Sequence, residues 1–322
     1  MPAIEVTGLA RTYKVRSGLR RRGQKRDVEA LKGVSFEVPS GQLFGLLGPN
    51  GAGKTTTIKI LTTLLLPTRG SARVLGLDPA RQHRELRRRI GYVFGGDKGL
   101  YERISALENL RYFADVYRVP GELKQRRIDE LLETVGLKGR ERERVENYSR
   151  GMRQRLHIAR GLLHDPEVLF LDEPTIGLDP VGARELRETV AGLQASGKTI
   201  LLTTHYMLEA DELCERVAVI NNGLIVADGT PAELKRRATA RSVIEIEAFG
   251  VDDGVVARLR ALDGVDAVSI EQVEQAHVVA IQSQRGPAMI PALLAELGDI
   301  AVGRVVAREP TLEDAYVELV SS

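Results

Sequence analysis

Apolar and polar positions alternate from the first residues. "AIEVTGL" and "VSFEV" carry the period of two and the β-branched content of strands. The stretch between them, "VRSGLRRRGQKRD", is polar and strongly basic with no apolar period. It reads as a solvated loop, or as a contact for anionic lipid headgroups or a partner's loop. "GQLFGLL" is a nearly continuous apolar run, the pattern of a strand buried in a parallel sheet. It leads into "GPNGAGKTTTIKIL", a glycine loop that opens a helix. From about residue 100 to residue 163 the pattern is mostly helical, through "LENLRYFADVY", "RIDELLETVGL" and "YSRGMRQRLHIARGLL". "EVLFLD" and "TILLTTH" are again apolar strands, with the helical "VGARELRETVAGLQASG" between them. "VAVINNGLIVADG" sets Asn-Gly between two apolar runs, the strongest short hairpin signal.

The pattern changes near "KRRATARS". Beyond it, short strand-like and helix-like pieces alternate from "VIEIEAF" to "AVGRVVA", as in a small α+β domain. The chain therefore reads as two domains, residues 1–236 and 237–322, with a helical part at about residues 98–163 of the first. The second shows no cluster of Cys, His or paired acids that resembles a site.

Composition narrows the class. With 322 residues and 43% hydrophobic content, the chain is long enough for two cores. A net charge of +2 speaks against a dedicated nucleic-acid binder, so no nucleic-acid partner is expected. Cys214 is the single cysteine, which excludes an internal disulfide framework and fits a reducing compartment. No apolar run reaches the roughly 18 residues of a membrane span, and the N-terminus lacks a basic-then-apolar leader. A cytoplasmic chain is expected. For work at a membrane, another chain must do the spanning.

The glycine loop carries the strongest chemical signal. Gly48, Pro49, Asn50, Gly51, Ala52, Gly53, Lys54 and Thr55 fit G-x-x-x-x-G-K-[ST] at every fixed position, with a strand before and a helix after. Such a loop curls backbone N–H groups around phosphates at a helix N-terminus. Lys54 would add positive charge there, and the Thr55 hydroxyl is placed for Mg²⁺. In "VLFLDEP", Asp172 and Glu173 stand at the C-terminal end of a buried strand, the ligand edge of a parallel sheet. They could be solvated strand caps. With a phosphate loop in the chain, Asp172 reads as an Mg²⁺ ligand and Glu173 as the general base for an attacking water. Asp179 of "GLDP" would, alone, be only a helix cap. His205 ends "TILLTTH" on the same edge, in reach of a γ-phosphate.

Together these pieces resemble the nucleotide-binding subunit of an ATP-binding cassette (ABC) transporter. The resemblance spans about residues 3–235 through Tyr13, "GPNGAGKT", "YSRGMRQR", "VLFLDEP", "GLDP" and "TTH" in order. The ending "PTLEDAYVEL" is similar to the tail domain of the daunorubicin-resistance type of exporter. The implied fold is α/β: a P-loop NTPase cassette with a RecA-like core, an antiparallel β subdomain and a helical signature subdomain, followed by the small α+β domain. The resemblance also implies roles. Tyr13 would stack on adenine, and Thr56 would join the loop residues around ATP. Ser149, Arg150, Gly151 and Met152 would form the signature that meets ATP held by a second copy of the chain, with Asp179 at the dimer contact. Arg150 and Met152 depart from the usual Leu-Ser-Gly-Gly-Gln. ATP and Mg²⁺ are the implied cofactors. A polytopic membrane permease and a second cassette are the implied partners, which would place the chain at the inner face of the membrane.

One departure stands out. After "IGYVF" the family expects a glutamine that completes the Mg²⁺ and water shell, and here the chain reads Gly95-Gly96-Asp97-Lys98. Asp97 could stand in as an oxygen ligand, water could fill the position, or the paired glycines could simply make the loop mobile. An ATPase that powers an exporter of drug-, antibiotic-, lipid- or glycan-like molecules is the leading expectation. The alternatives are a soluble ABC ATPase on nucleic acid or ribosomes, which usually has tandem cassettes or long coiled coils, and a non-hydrolysing regulatory cassette, which intact Glu173 and His205 argue against.

Overall fold

A computed structural model describes residues 2–16, 25–96, 99–238, 242–273, 276–283, 285–298 and 300–321. The chain divides into two compact units, Met1–Thr230 and Pro231–Ser322. The first runs β1 (Pro2–Arg16), β2 (Lys25–Pro39), β3 (Leu43–Leu47), α1 (Lys54–Leu61), β4 (Arg69–Val74), α2 (His83–Leu86) and β5 (Ile90–Phe94). Three longer helices follow, α3 (Ala106–Val116), α4 (Gly121–Thr134) and α5 (Arg150–Leu162). It closes with β6 (Val168–Asp172), α6 (Pro180–Ala195), β7 (Thr199–Thr204), α7 (Met207–Leu213), β8 (Arg216–Asn221) and β9 (Leu224–Gly229).

Two sheets carry this unit. The larger has the order β5-β6-β7-β3-β8-β9, parallel except for β9. Every residue of β3, β6 and β7 is buried, which is why these strands read as unbroken apolar runs. Because β3 lies beside β7, and β7 beside β6, three successive loops meet at one edge. The smaller sheet, β2-β1-β4, is antiparallel. A shared core joins the two, in which Phe36 of one stacks on Phe44 of the other at 5.3 Å between ring centroids.

Local signals place the helix starts. Ser105 and Glu108 form a capping box at α3, Ser149 caps α5, and Asp179 caps α6 with Pro180 in its first turn. The Asn222-Gly223 turn joins β8 to β9 with both residues at positive φ, 48° and 80°, as a two-residue hairpin requires. The basic tract departs from its loop reading at both ends. Val15 pairs with Arg26 and Arg16 with Lys25, so β1 and β2 continue as a ribbon beyond their apolar stretches. Backbone pairing alone sustains a ribbon that grows out of a packed sheet, and it leaves no apolar period to read. Residues 17–24 and Asp97 lie outside the described residues.

The second unit begins with α8 (Pro231–Ala238). It continues β10 (Ser242–Phe249), α9 (Asp253–Ala261), β11 (Val265–Val273), β12 (Ala276–Ser283), α10 (Ile290–Leu297), β13 (Ala301–Arg308) and α11 (Leu312–Ser321). Its antiparallel sheet has the order β11-β12-β10-β13, a split β-α-β arrangement of the ferredoxin-like kind. Ile244, Ile246, Leu259, Ile281 and Leu293 form its separate core. Among the described residues no helix of either unit is long and apolar enough to cross a membrane.

Candidate functional site

The phosphate loop joins β3 to α1 and is braced by its neighbours. Gly48 N–H donates to the Thr204 carbonyl at 3.3 Å, and the Ala52 carbonyl accepts from Gly223 N–H at 3.0 Å. The hairpin turn thus buttresses the loop from outside. Gly53 has φ 115°, and a Cβ there would lie 2.6 Å from Leu31 Cδ2 and 2.8 Å from the Ala30 carbonyl oxygen, so only glycine fits. No side chain caps α1, which leaves its amide end facing the loop's concavity. Pro49, Asn50 and Gly51 are exposed at the tip.

Lys54 is 4% exposed, yet its charge is well matched. Nζ donates to the Gly48 carbonyl at 2.6 Å and the Pro49 carbonyl at 3.1 Å, and it sits 3.0 Å from Glu173 Oε1. The second Glu173 oxygen lies 3.2 Å from His205 Nδ1, close enough for an ion pair but without hydrogen-bond alignment. Thr55 Oγ1 donates to Asp172 Oδ1 at 3.1 Å, and Thr203 Oγ1 donates to the same oxygen at 2.6 Å. The Tyr92 phenol is pushed up to about 12, first by burial and then by the Asp172 charge. Glu209, buried on α7, is also held above the usual carboxylate range by burial, against the hydroxyls of Thr204 and Thr175.

Residues far apart in sequence therefore converge as the motifs predict: Lys54 and Thr55 with Asp172, Glu173 and His205. Tyr13 reaches the same loop, its hydroxyl 3.5 Å from Thr56 Oγ1, with the Arg11 guanidinium 4.9 Å from its ring centroid. The signature stands apart from this cluster in its contacts. Ser149 Oγ accepts from Met152 N–H at 3.2 Å, Arg150 donates to the Gly177 carbonyl at 3.4 Å, and a Cβ on Gly151 would touch Gly182 Cα at 3.4 Å. Asp179 accepts from Val181 and Gly182 N–H at 3.1 and 2.9 Å, and these bonds hold its carboxyl below the usual range. The helices α5 and α6 thus begin side by side.

Gly95 is the position that corrects an expectation. It is no slack hinge. Its N–H donates to the Asp172 carbonyl at 2.7 Å, and a Cβ would fall 2.2 Å from the Glu173 carbonyl oxygen. Glu173 itself has φ 50°, a left-handed conformation rare for a side-chain-bearing residue. That turn aims its carbonyl at Gly95, so this packing has no space for a glutamine. On either side of Gly95, α5 grips the chain: Gln154 Nε2 donates to the Phe94 carbonyl at 3.4 Å, and Arg160 donates to the Gly99 carbonyl at 2.5 Å. Thr203 and Arg160 escaped the motif reading. The signal for Thr203 was a hydroxyl in a buried strand, one it shares with Thr199 and Thr204.

A family model described as "ABC transporter" matches residues 31–176. The daunorubicin resistance ATP-binding protein DrrA3 of Streptomyces coeruleorubidus is 38% identical over 91% of this chain and 92% of its own length. The chain belongs to the ABC transporter family. The Nod factor export ATP-binding protein I of Ralstonia nicotianae is 39% identical over 99% of this chain and 94% of its own. Among solved structures, an ATP-binding cassette described as a dimeric post-hydrolysis state bound to ADP and Pi superposes with a TM-score of 0.61. It is 26% identical, over 70% of this chain and 98% of that one. The chain is an ATP-binding cassette ATPase, and the cluster around Lys54 is its candidate site.

Proposed function

We propose that this chain is the ATP-hydrolysing subunit of an exporter, working as a pair of cassettes beneath a membrane permease. The observation that carries the reading is the meeting of Lys54, Thr55, Asp172, Glu173 and His205 at one sheet edge. The relative named for Nod factor export supports the outward direction, and the one named for daunorubicin resistance supports a drug-like cargo.

The loop suits a nucleotide's phosphates, since it combines the uncapped start of α1 with the Lys54 charge. The metal fits as well. Thr55 Oγ1 and Asp172 Oδ1 lie 3.1 Å apart, close to the ~3 Å between neighbouring oxygens around an octahedral Mg²⁺ with bonds of about 2.1 Å. Bound Mg²⁺ would neutralise charge on the phosphates and orient them. Tyr13 would offer its ring to the base, and Thr56 its hydroxyl to the phosphates. Glu173 would accept the proton of the attacking water, and His205 would hold the Glu173 carboxylate and the terminal phosphate in line. Ser149 to Met152 would meet the nucleotide held by the second copy, beside Asp179. Asp97 remains a proposed further oxygen ligand.

For the permease we assign the groove beside α3 and α4. It encloses about 890 Å³ and is lined by Arg84, Arg87, Arg88 and Arg118, with Arg126 and Arg127 paired to Glu130 and Asp165, around Val116, Tyr117 and Leu123, which are 55%, 37% and 47% exposed. An acidic, partly apolar cytoplasmic segment suits that lining.

Purification of the full chain from detergent-solubilised membranes tests the reading. A polytopic membrane protein should co-purify, with phosphate release that Lys54→Ala abolishes. Recovery of ribosomes or nucleic acid in its place would overturn it.

A further inference from the structure

The strand β7 reads Thr-Ile-Leu-Leu-Thr-Thr, and every residue in it is buried. A hydroxyl inside such a strand needs partners, because water cannot reach it. Thr203 is 0% exposed, and both capacities of its hydroxyl go to the site. It donates to Asp172 Oδ1 at 2.6 Å and accepts from Glu173 N–H at 3.1 Å. The parallel register pairs Asp172 with Thr203, so the contact is built into the sheet. The Glu173 amide also reaches the Thr203 carbonyl at 3.0 Å.

These bonds fall on the two acids whose placement matters most. Glu173, at φ 50°, occupies a conformation that persists only when its surroundings hold it there. Thr203 holds it from one side, and Gly95 leaves space for its carbonyl on the other. On Asp172, the Thr203 hydroxyl binds the same oxygen that faces Thr55. Rotation of the carboxylate would break both bonds.

We propose that Thr203 is a positioning residue of the ATPase site: its hydroxyl fixes the Asp172 carboxylate toward Thr55 and holds the Glu173 backbone in the turn that aims its side chain at Lys54 and His205. It acts through those two acids, and the inference rests on their proposed roles as metal ligand and base. Valine keeps the volume and the strand preference of threonine but removes the hydroxyl. Serine keeps the hydroxyl.

In the full chain, Thr203→Val should lower kcat about tenfold to a hundredfold, the range of a lost hydrogen bond to a charged group. By titration calorimetry, ATP affinity in EDTA should stay at the wild-type value, while the affinity gained on adding Mg²⁺ shrinks. Thr203→Ser should keep all of these within about threefold. Wild-type kcat and Mg²⁺ gain in the valine variant would overturn the proposal, as would a serine variant that falls as far. If the valine chain does not fold, Thr203→Ala replaces it, with the same split from serine expected. A silent Thr203→Val beside an inactive Glu173→Gln would sink this inference alone. Silence in both would sink the ATPase roles themselves.

Discussion

Lys54 Nζ and Glu173 Oε1 face each other at 3.0 Å, so the cation that would hold phosphate is paired with the carboxylate that would activate water. Each group is too buried to stand alone, at 4% and 17% exposure, and each neutralises the other. Under the proposed roles, phosphate arriving at Lys54 would compete for that pair and free Glu173 for its own task, which would order the two halves of the site in time.

Glu173→Gln removes the competing charge and the base together. ATP should bind at least as tightly as to wild type, up to about tenfold tighter, while turnover falls by about 10² to 10⁴. Nucleotide titration and phosphate release measure the two, and light scattering should show a dimer that accumulates with ATP. Unchanged phosphate release would remove Glu173 from the base role.

Restoring the family's glutamine should harm this protein. Gly95→Gln drives a Cβ to 2.2 Å from the Glu173 carbonyl oxygen. We expect a loss of about 1–3 kcal/mol in denaturant unfolding, as for other overpacked sites, together with lower turnover. Faster hydrolysis with intact stability would show that the Glu173 turn relaxes freely.

The signature is tested by where a defect lands. Ser149→Arg and Lys54→Ala placed on the same chain of a mixed dimer leave one nucleotide loop, and it faces the altered signature. That pair should be inactive, down at least about a hundredfold in single-turnover hydrolysis. The same changes on opposite chains leave a loop that faces a normal signature, and hydrolysis should survive there. The reverse pattern, with the same-chain pair active and the opposite-chain pair silent, would place the signature's contact within its own chain, and equal rates would also rule out the contact across the dimer.

Acid should loosen the fold through His157. Its ring is fully buried against Phe94, with no hydrogen-bond partner at either nitrogen among the described residues, and burial and then Arg160 lower its pKa to about 3. The unfolded chain binds a proton near pH 6.5 that the folded chain refuses, so stability present above pH 6.5 declines as pH falls toward 3. At pH 5 the loss from this group is about 2 kcal/mol. His157→Leu should flatten the drop in urea unfolding between pH 7.5 and 5. Burial lowers His164 as well, so part of the slope should remain. An unchanged slope would assign the acid sensitivity elsewhere.

Much of this was legible in the residues. The apolar runs of β3, β6 and β7 announced a buried parallel sheet, and Asn222-Gly223 announced its hairpin. Glycine spacing placed Lys54 and Thr55 opposite Asp172, because that chemistry needs short-range order on either side. Other features have no such local cause. The ribbon ends at Val15 and Arg26 are paired by backbone alone. The place of Gly95 depends on a carbonyl 78 residues away in sequence, at Glu173. Thr203 is set apart from Thr199 and Thr204 of the same strand by what the adjacent strand places beside it. Sheet order in the second unit follows from packing that no single segment encodes.

The helix α5 is capped by the signature serine and carries, eleven residues on, the arginine that grips Gly99. Thirteen helical residues make a rod of about 20 Å that bends little under load. A displacement at one end is felt at the other with almost no lost motion. Whatever moves the chain at Gly99 also moves the surface that a second cassette would meet, so one stiff element serves as the crankshaft of the unit.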